Sequence, residues 1–243
     1  MLPPPLRGRA WAHQIGTVDS ARPVARKPRQ HVNPLSARYL VPRARRVVPP
    51  PALGPDPPCD VELGCAEGAF SFALAEREPE RFVVGLEIRE RMVARNRARA
   101  RALSLHNLAF AYANLQVDLH RVFAHRSVDR FHLLFPDPWF KRRHGKRRVV
   151  SPYLLGTMAR QLRPGGEVHV ASDVFEIALS AMEAFDGPAG AALGFESLAP
   201  GGPWGFVRGN PYGVASRREA ITLRRGQRVW RLRYRLAAPP DNP

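Results

Sequence analysis

A chain of 243 residues with 44% apolar residues can build one large α/β domain around a real core. The formal net charge of +17, from 38 Lys+Arg against 21 Asp+Glu, points to a polyanionic partner, because each neutralised phosphate releases counterions. No apolar run reaches the ~18 residues of a membrane helix. The two cysteines, Cys59 and Cys65, supply neither a zinc spacing nor a disulfide framework and suit a reducing compartment.

Residues 1–58 hold 13 of the 25 prolines, and ten Lys/Arg against one acid precede position 50. No helical or strand period survives that proline density, so a largely irregular basic arm is expected over 1–58. Its first 29 residues are Arg-rich and acid-poor, as in an organelle transit peptide, but poor in Ser. From Cys59 the apolar pattern alternates. The predicted elements are a strand at Cys59–Leu63, a tight turn at Gly64–Gly68, a helix at Ala69–Arg77 and a strand at Arg81–Glu87. A helix at Arg89–Leu103, a strand at Ala109–Ala113, a helix at Gln116–Ala124 and a strand at Arg130–Phe135 follow. The helix at Ser151–Leu162 accepts Pro152 in its first turn and ends at Pro164-Gly165-Gly166. A strand at Glu167–Ala171, a helix at Val174–Phe185 and strands near Phe195 and at Arg228–Leu236 complete the domain, 59–236, with a short tail at 237–243. Strands alternating with helices predict an α/β, doubly wound, mostly parallel seven-stranded sheet, whose strand C-termini share the ligand-binding edge.

At that edge the first strand ends in Glu62-Leu63-Gly64-Cys65-Ala66-Glu67-Gly68. Gly64 and Gly68 allow a sharp turn and a close backbone approach to a ligand. Glu87 closes the second strand, 25 residues after Glu62, where an acid grips two ribose hydroxyls in dinucleotide folds. The turn lacks a full G-x-G-x-x-G, and Glu62 and Glu67 would repel a pyrophosphate. They suit a cationic sulfonium, which favours S-adenosylmethionine over NAD. Asn114, at the end of the third strand, is placed to read an adenine amino group. The six Arg of the helix after the second strand (Arg89, Arg91, Arg95, Arg97, Arg99 and Arg101) form either a solvated face or a second footprint for a polyanion.

The fourth strand runs into Phe135-Pro136-Asp137-Pro138-Trp139-Phe140-Lys141-Arg142-Arg143-His144-Gly145-Lys146-Arg147-Arg148. The prolines stop the ladder and stiffen the loop, holding Asp137 at the sheet edge. Trp139 and Phe140 offer flat faces for a base, and six Lys/Arg in residues 141–148 offer phosphate contacts. Ser172 and Asp173 bring another carboxylate to the same edge, where they also suit an N-cap. Guanine N7 carries a lone pair and no proton, so its methylation needs alignment rather than a base. Asp137 and Asp173 can hold the N1–H and amino edge of guanine and stabilise the positive charge that develops. An exocyclic amine, by contrast, must lose a proton.

On these residues the chain resembles the tRNA (guanine-N7-)-methyltransferase family of the bacterial single-chain type. The likeness runs from about Cys59 to Leu236, with a shorter match at Arg29-Gln30-His31-Val32-Asn33-Pro34. It implies a Rossmann-like class I methyltransferase sheet with a reversed last strand, acting on a variable-loop guanine of tRNA. It implies that Glu62, Glu87, Asn114 and Asp137 lie at S-adenosylmethionine, that Asp137 is the catalytic acid, and that Lys141 and Asp173 contact the substrate. Arg142, Arg143, His144, Lys146, Arg147 and Arg148 are expected against RNA. The family's T-x-[YF]-E element reads Ser216-Arg217-Arg218-Glu219 here. Arg218 replaces the aromatic, Ser216 and Glu219 keep the hydroxyl and carboxylate for substrate, and the bland alternative is an exposed charged turn. Ala66 stands for a second glycine, Asn114 for the usual Asp and Ser172 for Thr. No metal is expected. The partner is tRNA, the active unit a monomer or homodimer, and the compartment a bacterial cytoplasm or a plastid. The competing readings are an exocyclic-amine RNA methyltransferase and a methyltransferase fold that binds tRNA without turnover.

Overall fold

The computed structural model describes residues 32–136 and 150–237. Seven strands form one sheet: β1 (Cys59–Leu63), β2 (Phe82–Glu87), β3 (Leu108–Tyr112), β4 (Val128–Leu134), β5 (Leu162–Ser172), β6 (Phe195–Ser197) and β7 (Trp230–Leu236). Their order is β3-β2-β1-β4-β5-β7-β6, parallel except for β7, which runs antiparallel to both β5 and β6. The helices are α1 (Ala37–Leu40), α2 (Ala69–Arg77), α3 (Glu90–Ala102), α4 (Leu119–Val122), α5 (Pro152–Gln161), α6 (Phe175–Asp186), α7 (Pro188–Ala192) and α8 (Arg217–Arg224). The strand order reverses between β1 and β4, which places the ligand crevice beyond the C-terminal ends of those two strands.

Both faces of the central strands are buried, and the two faces differ in chemistry. Val61, Leu63, Phe131, Leu133, Val168 and Val170 pack with Leu154, Met158, Met182 and Phe185 from α5 and α6. On the opposite face Phe70, Leu74, Val93 and Ala100 of α2 and α3 close over Phe110 and Leu134. That second face also carries buried ionisable side chains at alternate positions, Asp60 and Glu62 on β1 and His132 on β4. The period of two explains why β1 reads as a strand although two of its five residues are acids.

Three local expectations differ from the structure. The helix expected over Gln116–Ala124 is only α4, because Gln116 N bonds Asn114 Oδ1 and Asn114 N bonds Asp118 Oδ2, which closes the chain into a turn first. Pro164-Gly165-Gly166 does not precede β5 but interrupts it: Leu162 pairs with Val128, and the ladder resumes at Glu167 opposite Arg130. The segment Ser216–Glu219 opens α8, with Ser216 Oγ accepting from Glu219 N.

Residues 32–58 lie against the sheet domain as a strap. Asp118, fully buried, accepts from Arg43 N at 2.8 Å, Ala44 N at 3.1 Å and Asn114 N at 2.9 Å. Val47 N bonds Val122 O farther along. Proline cannot pair as a strand, so the strap is held by scattered hydrogen bonds, two of them to the Asp118 carboxylate, instead of a ladder. Asp118→Ala leaves three backbone donors without their acceptor and is expected to cost about 3–5 kcal/mol in urea unfolding. Proteolytic cleavage within residues 32–48 should rise in parallel; an unchanged midpoint would remove Asp118 from this role.

Candidate functional site

The turn after β1 is shaped by backbone conformations that side chains rarely adopt. Gly64 has φ +82°, and a Cβ there would meet nothing within 4 Å, so its face is open to a ligand. Gly68 has φ +72°, and its Cβ would fall 2.7 Å from the Phe110 ring, so packing as well as conformation demands glycine there. Ala66 adopts φ +46°, a strained state for a residue with a Cβ. Two contacts hold it: its N–H donates to Glu87 Oε2 at 3.0 Å, and its carbonyl accepts from Asn96 Nδ2 at 2.8 Å. On the other side of the crevice Phe135, the residue after β4, has φ +49° directly before Pro136, with its N–H bonded to Ala171 O at 2.7 Å. Left-handed backbone at a bulky residue marks a place where surrounding structure overrides local preference.

The acids expected at the edge are there, and each has a partner. Glu62 is buried and accepts from Ser71 N at 3.1 Å and from Ser71 Oγ. Burial, together with the like charges of Glu87 and Glu67, raises its carboxyl to about 7. Glu87 is held in a fork by Arg89, Nε to Oε1 and Nη2 to Oε2, both at 2.9 Å. Arg89, grouped by sequence with five other arginines as either a solvated face or a polyanion footprint, is therefore paired with the acid that ends β2. Glu67 is paired with Arg217 of α8; burial alone would raise its pKa, but its backbone hydrogen bond and the Arg217 guanidinium leave it lowered. Asp173 accepts from Arg218 Nε at 2.8 Å, and Ser172 Oγ accepts from Val174 N at 3.0 Å.

Two further residues expected at the ligands are bonded within the chain. The Asn114 amide donates to Pro34 O at 2.8 Å and Tyr39 O at 2.9 Å, tying the strap to the end of β3, and the residue is 1% exposed. Glu219 is also 1% exposed. It binds Arg231 of β7 and accepts from Asn210 Nδ2 at 3.1 and 3.2 Å, which pins residues 210–219 to the sheet. Asp137, Lys141, Arg142, Arg143, His144, Lys146, Arg147 and Arg148, with Trp139 and Phe140, lie outside the described residues.

Beneath the edge is a buried polar layer that sequence reasoning missed. Asp60 accepts from His132 Nε2 at 2.7 Å and from Arg81 Nε. Burial pushes the Asp60 carboxyl up, but His132, Arg81 and Arg130 outweigh it and leave the pKa lowered. The Tyr212 ring covers His132 and His169, with centroids 4.7 and 5.1 Å away. Burial beside His132, Arg231 and Arg233 holds His169 well below its ordinary pKa, so it is neutral. Partners 72 residues apart, such as Asp60 and His132, leave no local signal; the one available clue was the placement of polar residues inside strands that otherwise read as buried.

A β3-β2-β1-β4-β5-β7-β6 sheet with a reversed β7 and an acid-lined turn at its switch point defines a Rossmann-like methyltransferase of class I. The comparisons agree. Residues 56–197 match a family model described as a putative methyltransferase. The tRNA (guanine-N(7)-)-methyltransferase of Thermosynechococcus vestitus is 35% identical over 223 residues, covering 90% of this chain and 99% of that one. The enzyme of the same name from Nostoc sp. is 37% identical over 215 residues, covering 87% and 94%. Among solved structures, the 16S rRNA methyltransferase KamB superposes with a TM-score of 0.53 at 19% identity, covering 81% of this chain and 100% of that one, a likeness of fold. The chain belongs to the tRNA (guanine-N(7)-)-methyltransferase family.

The buried Glu219–Arg231 pair separates a fastening role from a substrate role. Glu219→Gln leaves Arg231 buried without its counter-charge and should cost about 3–5 kcal/mol in denaturant, whereas a residue serving substrate alone would leave stability unchanged. Glu219→Gln combined with Arg231→Met should recover most of that loss.

Proposed function

We propose that this protein methylates N7 of a guanine in tRNA, using S-adenosylmethionine. The observation that carries the reading is the group of carboxylates at the switch point in a chain of this family. Glu62, Glu67 and Glu87 surround one turn, and their mutual repulsion contributes to holding the Glu62 proton near neutral pH. Such a site repels pyrophosphate and favours a cation. S-adenosylmethionine, when bound, supplies an electrophilic methyl group on a positively charged sulfur.

The chain's own residues then have distinct tasks. The backbone of Gly64 gives the turn an open face for the cofactor. Glu62 loses its proton when a cation arrives, and Glu87 offers its oxygens to ribose hydroxyls in exchange for Arg89. Asp137 and Asp173 hold the N1–H and amino edge of guanine, which turns N7 toward the methyl group and steadies the charge that appears on the purine. No residue has to remove a proton from N7. Lys141 and the cations of 142–148 grip the tRNA backbone. No group of three or more His, Cys, Asp or Glu among the described residues has the geometry of a metal site. No helix among them is long and apolar enough to cross a membrane. The reading places the enzyme in a bacterial cytoplasm, with a plastid as the alternative, working as a monomer or homodimer.

Incubation with unmodified tRNA transcript and labelled S-adenosylmethionine should yield labelled 7-methylguanosine, and Asp137→Ala should lower kcat by about 100-fold or more. A labelled exocyclic-amine product would keep the fold and overturn the proton-free chemistry.

The raised pKa of Glu62 gives a second test. A carboxyl that titrates near 7 in the folded chain, above its ordinary 4.5, stabilises the fold fully below about pH 4.5 and loses that contribution as pH rises through about 7. A bound cation favours the ionised form, so cofactor affinity should increase up to about pH 7 and level off above it. Calorimetry at about pH 6 in buffers of different ionisation enthalpy should register proton release on binding, absent in Glu62→Gln. Binding without proton release in the native chain would place Glu62 away from the cation.

A further inference from the structure

The reactive edge does not end at Asp173. Two residues later Phe175 begins α6 and is 41% exposed. Trp230 begins β7 directly opposite Ser172 in the ladder. Phe206 sits beside it, because Val207 N bonds Arg231 O at 3.0 Å. The three rings touch one another: Phe175 and Trp230 have centroids 4.6 Å apart, Phe206 and Trp230 4.9 Å, and Phe175 and Phe206 6.2 Å. They are tilted by 43–51°, and all three are at least partly open to solvent.

The surroundings of this aromatic cluster are basic. The Arg228 guanidinium lies over Trp230, 4.8 Å from the ring centroid. Residues 204–230 contain six arginines and a single acid, Glu219, which is buried on Arg231. Arg208, two residues from Phe206, and Arg228 are both exposed. Flat faces beside positive charge fit a nucleobase and its phosphate, since every base has a π-face and every linkage a charge.

We propose that Phe175, Phe206 and Trp230 form a stacking platform for an unpaired tRNA base flanking the guanine that is methylated, with Arg208 and Arg228 on the adjoining phosphates. The platform rests on the functional reading above and extends it. It sits one ladder position from Asp173, so a strand that presents guanine to Asp173 carries its neighbouring nucleotide across these rings. The rings hold the strand by stacking, and the target base is left free to turn its N7 edge toward the methyl donor.

The test is equilibrium binding of unmodified tRNA transcript by the full chain carrying Phe175→Leu, Phe175→Tyr, Trp230→Phe or Arg228→Gln, with S-adenosylmethionine affinity measured alongside. Stacking on one ring is worth enough that Phe175→Leu should weaken tRNA binding about ten-fold, with an unchanged salt slope, while Phe175→Tyr and Trp230→Phe bind as the native chain does. Arg228→Gln should flatten the salt dependence of log Kd by about one unit. Cofactor affinity stays constant across the series. Native-like binding by Phe175→Leu overturns the platform, as does a native dimer that Phe175→Leu dissociates, which would make the patch a subunit interface. Binding is measured without turnover, so failure to form 7-methylguanosine would remove the functional reading and leave this result standing on its own.

Discussion

Like charges crowded at one edge of a sheet are the constraint to which the rest of this site answers. Glu62, Glu67, Glu87 and Asp173 all reach the C-terminal side of the central strands, with Glu219 packed close by. Each is answered within the chain. Glu62 holds its proton up to about 7. Glu67, Glu87, Asp173 and Glu219 are met by Arg217, Arg89, Arg218 and Arg231. These partnerships differ in strength. Arg231 is 9% exposed and Glu219 1%, so that pair is permanent. Arg217 and Arg218 are 68% and 62% exposed, and ion pairs of that kind contribute about 0–1 kcal/mol. A ligand with better-directed donors displaces them easily. On the proposed function Arg231 is therefore structural, while the arginines at Glu67 and Asp173 act as placeholders.

The two placeholders are neighbours at the start of α8. Ser216 caps that helix, and Glu219 anchors its first turn to β7. Arg217 then reaches the turn after β1, while Arg218 reaches the end of β5. A substitution that reads as a departure from the family's aromatic thus gives Asp173 a cationic partner. On the proposed function guanine N1–H and the amino group seek the same carboxylate, so Arg218 would have to move aside or share it. Thr222, one turn along α8, bonds the same oxygen at 3.4 Å.

The sheet and its edge were readable from sequence because period and punctuation are local. β1, β2, β4 and β7 announced themselves by alternation or by short apolar runs ended by glycine or proline, and the ordered acids at Glu62 and Glu87 followed. What could not be read were partnerships between distant residues. Asn114 has the right chemistry for adenine, but its amide is taken by carbonyls 75 and 80 residues earlier. Glu219 has the right chemistry for substrate, but Arg231 lies across the sheet edge from it. The strap at 32–58 looked structureless because it has no period, and it is held mainly by Asp118 and Asn114, polar residues with nothing in their local pattern to mark them. The short α4 has the same cause, since the carboxylate that grips the strap also closes the turn before it.

Charge is distributed in layers, and this selects what part of an RNA can enter. The acids lie at the strand ends, and exposed arginines flank them: Arg217 and Arg218 beside Glu67 and Asp173, Arg208 and Arg228 at the aromatic patch. A phosphate is drawn to these arginines and repelled by the acids. A base carries no net charge, and guanine offers N–H donors on the edge opposite N7. On the proposed function guanine passes the arginines that retain its backbone and bonds the carboxylates behind them. On that reading the +17 net charge and the acidic crevice are complementary: the first holds a polyanion, and the second admits its neutral, donor-bearing part.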